Sequence, residues 1–264
     1  MSAASIHPNI PALQMVAVTV GAREDLRIAV LEDVHWSVAP GDYWVIGGMN
    51  NSGKSDLLAL AAGLTPAQRG SYRLFGHDMP GEVGGQERLR VGLVFDGGKP
   101  FHQLTIEENV MLPLRYHRAA GESEPAERAR EIMELTGLSP WAGRMPGTIG
   151  RAWEKRLGLA RALVLQPEVL LLDDPLGGLD ARHIDWWLNF LEKLSAGHPY
   201  LHGRPMTLAI AAHNLQPWRD KSVWLAVLQN KRFAPLGRCS ELSSVAEPLV
   251  HELLLEKRRT EPSV

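Results

Sequence analysis

Two hydrophobic periods share this chain. Between Leu13 and Val38 the apolar positions come in short β-rich runs, LQMVAVTV and then RIAVLEDVHWSV, the second with partial period-two alternation, as in strands with one covered face. The turn APGD (39–42) leads into YWVIGG, which reads as a buried strand entering a glycine-rich loop, and SGKSDLLALAAGL continues as a helix. VGLVF (91–95), EVLLLDDP (168–175) and MTLAIAA (206–212) are further buried strands. Between about residue 100 and residue 165 the period becomes helical, in TIEENVMLPLRYH, PAERAREIMELTGL and WEKRLGLARALVL. A helix over about 181–195 and a hairpin around SVWLAVLQNKRFAPL, turning near Gln229-Asn230, follow. LVHELLLEKRR predicts a C-terminal amphipathic helix over about 247–259, with Leu249, Leu253 and Leu254 on one face and basic residues at its end. The layout is α/β: a nucleotide-binding core with a β-rich start and a helical insert.

Composition narrows the picture only at its edges. With 264 residues and 45% apolar content the chain can bury a sizeable core. A net charge of -2 and the lack of a long basic stripe argue against nucleic acid as a partner. The single cysteine, Cys239, allows no intrachain disulfide and fits a reducing compartment. No apolar run reaches the ~18–20 residues of a membrane span, and MSAASIHPNIP lacks the regions of a secretory signal. The expected location is cytoplasmic, with any membrane role exercised through a partner.

The chemistry concentrates in three places. GMNNSGKS (48–55) matches G-x-x-x-x-G-K-[ST] between a predicted strand and helix, the context that makes it a phosphate-binding loop. Backbone N–H groups of Gly48, Met49, Asn50, Asn51, Ser52 and Gly53 and the helix start through Asp56 would cradle phosphate. Lys54 would reach the β- and γ-phosphates and the Ser55 hydroxyl would hold Mg²⁺. LLLDDP ends a strand in two carboxylates, with Asp173 suited to the metal and Asp174 to orienting an attacking water. His213 closes a third strand, where it could contact a γ-phosphate.

The order of phosphate loop, strand acid after VGLVF, helical insert, LARAL helix, LLLDDP, GGLD and strand-end histidine resembles an ABC-transporter ATPase subunit over about residues 13–236. FDGGKPFHQLTIEENVMLPLRYH and MPGTIGRAWEKRLGLARAL look most like the ATPases of Mla-type (MCE-associated) phospholipid transporters. The resemblance implies a P-loop NTPase core with an N-terminal antiparallel β-subdomain and an inserted α-helical subdomain at about 99–165, all within a domain spanning 1–236, and a helical extension over 237–264. It implies ATP and Mg²⁺ as cofactors, catalytic roles for Asp174 and His213, and Ser55, Asp96 and Asp173 around the metal. It also implies a second ATPase subunit, expected to be a second copy, whose contact includes Asp180. The further implied partners are a transmembrane permease, an MCE-type protein and a small regulatory subunit, with the chain peripheral on the cytoplasmic face of the membrane. A non-transport ATPase of the same family would carry a long coiled coil or a tandem cassette, and neither is present.

Several positions depart from that pattern. The signature L-S-G-G-x falls on Ile149, Gly150, Arg151, Ala152 and Trp153, so the serine and both glycines are replaced. A side chain at 151 obstructs close backbone approach to phosphate, yet a guanidinium is itself a good phosphate ligand. Two readings follow: a weakened site, or one in which Arg151 reaches the partner's nucleotide. Asp96 stands where a glutamine is expected and Asp174 where a glutamate is. The aromatic residue expected to stack on adenine is replaced by Val18 and Val20. ATP binding with slow or tightly regulated hydrolysis is the expectation.

Overall fold

The computed structural model describes residues 10–79, 85–117, 125–221 and 223–239. The expected C-terminal helix, with Leu249, Leu253 and Leu254, lies outside them, as does most of the N-terminal stretch. In chain order, β1 (Leu13–Gly21), β2 (Ala29–Val38) and β3 (Tyr43–Gly48) precede α1 (Lys54–Ala61), β4 (Arg69–Leu74), β5 (His77–Met79), α2 (Gly85–Leu89) and β6 (Val91–Val94). The helical stretch is α3 (Ile106–His117), α4 (Pro125–Thr136) and α5 (Arg151–Leu163). Then come β7 (Val169–Asp173), α6 (Ala181–Ala196), β8 (Thr207–Ala212), β9 (Trp224–Gln229) and β10 (Arg232–Arg238).

Among the described residues the strands form two sheets, one in the order β10-β9-β3-β8-β7-β6 and one in the order β2-β1-β4-β5. In the first, β9, β3, β8, β7 and β6 pair in parallel and β10 turns back antiparallel along β9. The second is antiparallel throughout. The continuous apolar runs are explained by burial on both faces. Along β7, Leu170 and Leu172 enter the core shared with α3 to α6, while Val169 and Leu171 enter the core shared with α1 and the antiparallel sheet. Each fully buried leucine contributes ~1.5–3 kcal/mol, so LLL alone strongly fixes this strand. On the α1 side the neighbouring strands offer Ala209, Ala211 and Ala226, small side chains that leave room for that helix.

The strands β4 and β5 are absent from the pattern reading. RGSYRL and HDM expose most of their positions, so hydrophobicity carries little signal and tertiary pairing with β1 decides. Val18 and Val20 are fully buried under this sheet, and their side chains face the core. The helical stretch begins with a reciprocal cap at Thr105. Its hydroxyl accepts the Glu108 N–H at 3.2 Å, while a Glu108 carboxylate oxygen accepts the Thr105 N–H at 2.8 Å. Among the described residues no helix is long and apolar enough to cross a membrane.

Candidate functional site

The site lies at the C-terminal ends of β3, β6, β7 and β8, where parallel strands deliver loops to one edge. β3 runs into the loop 48–53, and Gly53, at φ 92, caps α1. That left-handed backbone suits glycine, and a Cβ there would meet the Leu31 side chain at 3.1 Å. Met49, Asn50 and Asn51 form the exposed tip of the loop. Asn51 has φ 60, a conformation that asparagine tolerates better than most residues. Ser52 and Gly53 lie beneath the tip, and Lys54 is only 5% exposed. Its ammonium folds back over the loop, donating to the carbonyls of Gly48 at 2.6 Å and Met49 at 2.8 Å and to the Ser52 hydroxyl at 3.4 Å. Burial pushes the Lys54 amine down, and the charges of Asp174 and Asp173 oppose that shift. The cation is therefore held inside the loop, facing two carboxylates.

Asp173 ends β7 at 8% exposure. Burial pushes its carboxyl up, the nearby Asp174 and Asp96 push it further, and the Ser55 hydroxyl and Arg23 act against them. The site thus brings Ser55, Asp173, Asp174 and Asp96 together as the sequence predicts, with more negative charge than it can comfortably desolvate. Among the described residues no group of three or more His, Cys, Asp or Glu side chains forms a metal cage. Hard oxygen donors with one or two carboxylates suit Mg²⁺ completed by phosphate oxygens, so the donor set fits the ion.

A raised carboxyl favours folding only in its neutral form. That contribution is present below the ordinary carboxylate range and lost as pH rises through the raised value. At neutral pH the ionised Asp173 is then a cost to the nucleotide-free fold. Asp173→Asn is expected to raise the melting temperature at pH 7 while removing Mg²⁺-dependent ATP binding. A lower melting temperature would show that its hydrogen bond outweighs its burial.

Asp174 follows with φ 45. Its N–H donates to the Ala211 carbonyl at 2.9 Å, and its carboxylate lies 3.2 Å from Nδ1 of His213 at the end of β8. The two predicted catalytic groups are therefore in contact. Asp56, in the first turn of α1, accepts the Arg23 N–H at 2.9 Å and lies 3.4 Å from its guanidinium. Asp180 accepts the His183 N–H at 2.9 Å and caps α6.

The altered signature region is built differently from a glycine loop. Ile149 is buried in the core, Gly150 caps α5 at φ 79, and Arg151 and Ala152 open the helix. Trp153 packs beside the Arg156 guanidinium, which lies 4.5 Å over its ring and 3.6 Å over Trp186. Burial brings the Arg156 guanidinium down to about 10, and Arg182 adds to the shift. Arg151 reaches back within its own chain, with Nη2 at 3.2 and 3.4 Å from the two Asp96 carboxylate oxygens. A second cation, Lys155, lies 3.0 Å from Asp96. Burial pushes the Asp96 carboxyl up, but Lys155 and Arg151 more than reverse this and hold it below the usual carboxylate range. Two residues here escape a motif reading, Lys155 and Arg23. The legible signal for Lys155 is its place one helical turn after Arg151.

A phosphate loop between β3 and α1, with the paired-acid strand β7 one strand away across β8, defines a P-loop nucleotide-binding protein. The chain belongs to the ABC transporter family, whose profile matches residues 31–177. It is 30% identical over 233 residues to the probable ribonucleotide transport ATP-binding protein mkl of Mycobacterium leprae, covering 87% of this chain and 65% of that protein. It is 32% identical over 212 residues to the sulfate/thiosulfate import ATP-binding protein CysA of Mycolicibacterium paratuberculosis, covering 80% of this chain and 56% of that one. The chain thus spans less than two thirds of these relatives' lengths. A solved dimeric structure of the ATP-binding cassette MJ0796, in a post-hydrolysis state bound to ADP and Pi, matches with a TM-score of 0.73 at 23% identity, covering 85% of this chain and 98% of that one. This last likeness is one of fold. Both curated relatives are named as ATP-binding proteins.

Proposed function

We propose that this chain is the ATP-binding and hydrolysing subunit of an ABC transporter, acting as a pair of subunits on the cytoplasmic face of a membrane permease. The observation that carries this reading is the convergence of Lys54, Ser55, Asp173, Asp174 and His213 on one edge of the parallel sheet. Loop amides from Gly48 to Asp56 bind the phosphates, with Lys54 swinging from the loop carbonyls to the β- and γ-oxygens. Ser55 and Asp173, with Asp96 nearby, would hold Mg²⁺, which would supply positive charge against the phosphate oxygens. Asp174 orients water, and His213, which the carboxylate contacts, faces the γ-phosphate. Asp180, Gly150, Arg151 and Ala152 face the second subunit. The cargo class we favour is phospholipid. Its support is the resemblance of segments 95–117 and 145–163 to Mla-type ATPases, the source also of the MCE-type and small regulatory partners. Copurification of the chain with a permease, and Mg²⁺-dependent ATP turnover of that complex, test the reading. A chain that binds no nucleotide and no membrane protein would overturn it.

A second reading is a regulatory subunit with slow or no hydrolysis. It is favoured by one observation: Asp96 is already paired with two cations of its own chain. Arg151→Ala separates the readings. The Arg151–Asp96 pair is exposed, with side-chain accessibilities of 58% and 48%, so its loss should hardly change stability. If Arg151 contacts the partner's γ-phosphate, turnover should fall well beyond tenfold, as for trans arginines worth ~10³–10⁵ elsewhere. Equal or higher turnover in Arg151→Ala would instead favour decay of the motif, and a gain in Arg151→Gly would favour obstruction.

A further inference from the structure

We infer that Lys155 is a positioning residue that ties the Asp96 carboxylate to the Asp174 backbone from within the chain; the inference rests on the ATPase reading above. Lys155 is 1% exposed. Its ammonium lies 3.0 Å from an Asp96 oxygen and donates to the Asp174 carbonyl at 2.5 Å. It therefore bridges the ends of β6 and β7, the neighbouring strands that carry these acids. A buried ammonium is costly unless paired, and lysine's three divergent donors allow one group to serve a carboxylate and a carbonyl together.

The same face of α5 holds the loop after Asp96. Gly98, at φ 73, packs so closely that a side chain there would run into the Glu154 carbonyl, and Gly158 packs against Gly98 itself. Arg161 donates to the Lys99 carbonyl at 2.7 Å. Arg151, Lys155, Gly158 and Arg161 thus bind loop 96–99 to α5 over three turns. A shift of α5 reaches the Asp174 backbone through Lys155. Asp174 holds a left-handed backbone that non-glycine residues seldom adopt, and its other ties are its N–H bond to Ala211, the Gly177 N–H its carbonyl accepts at 3.3 Å and the His213 contact. A displacement of ~1 Å in such a group costs on the order of 100-fold in rate.

Lys155→Met keeps the length of the side chain and removes the charge, leaving Asp96 to Arg151 and solvent. The expected result is a kcat for ATP hydrolysis lowered about 10- to 100-fold, with the affinity for a fluorescent ATP analogue within about twofold of the parent. Amide hydrogen exchange over residues 173–180, measured on the nucleotide-free chain, is expected to be faster in the variant. Unchanged exchange overturns the tie whatever the parent's turnover. Unchanged kcat, or affinity lost in step with kcat, overturns the positioning role. A parent that binds Mg-ATP without turnover defeats only the ATPase reading, and the exchange measurement then decides for Lys155. Asp96→Asn, at the half-exposed partner, repeats the test without touching buried volume. It should shift both readouts in the same direction by less, and a shift in neither overturns the bridge.

Discussion

Replacing Lys54 with alanine is expected to weaken Mg-ATP binding by roughly a hundredfold, the value of hydrogen bonds from a charged donor at ~1.5–3 kcal/mol each. The ammonium sits 2.6 and 2.8 Å from two loop carbonyls, a short swing from any phosphate seated in the same loop. Burial already works against its charged form, so the loop by itself is a costly place for a cation. Phosphate oxygens would return the solvation it has lost. Removing the side chain should therefore leave the fold standing, since what disappears is a poorly solvated charge. Titration calorimetry on a variant with a parent-like melting curve checks this. Unchanged affinity would mean that the loop is not the phosphate site.

That site was readable because its parts are local: eight residues of loop, a run of leucines ending in two acids, and a histidine closing a strand. Each is a strand end, and parallel strands in one sheet bring their ends to one edge. The sheet itself followed from continuous apolar runs, which only double-sided burial explains. The strands β4 and β5 were illegible because their exposed faces dilute the pattern and pairing with β1 supplies the stability. α5 starts at Arg151, two residues before Trp153, where the helical pattern of the sequence begins. Gly150 weakens a helical pattern there, although its positive φ is what ends the preceding turn.

The relation between Asp96 and α5 needed coordinates. The sequence places Asp96 near the metal and Arg151 toward a partner subunit, since each was read from its own motif. Nothing local says that the two side chains meet across 55 residues. In the structure Asp96 lies against two cations of its own chain, Arg151 and Lys155. Asp96 and Arg151 are therefore electrostatically compatible, and the trio with Lys155 carries one net positive charge.

Asp174→Asn is expected to leave ATP affinity near the parent value and to lower turnover by 10²–10⁴-fold, the usual worth of a positioned base. The substitution is a clean one. Asparagine has the same shape and, like aspartate, tolerates a backbone with φ 45, so the Ala211 and Lys155 contacts can persist. What disappears is a full negative charge 3.2 Å from Nδ1 of His213, and with it the acceptor for the proton of the attacking water. If nucleotide closes a pair of subunits, the variant should accumulate in the closed form. That form would be visible as a nucleotide-dependent doubling of mass in light scattering. Asp174→Glu probes reach in place of charge. One added methylene brings the carboxylate toward the γ-phosphate, while glutamate holds a left-handed backbone less readily than aspartate. Turnover at or above the parent's, with a lower melting temperature, is therefore expected. Parent-like turnover in both variants would remove Asp174 from the mechanism and leave His213 as the remaining side chain at that edge to be tested as the water-orienting group.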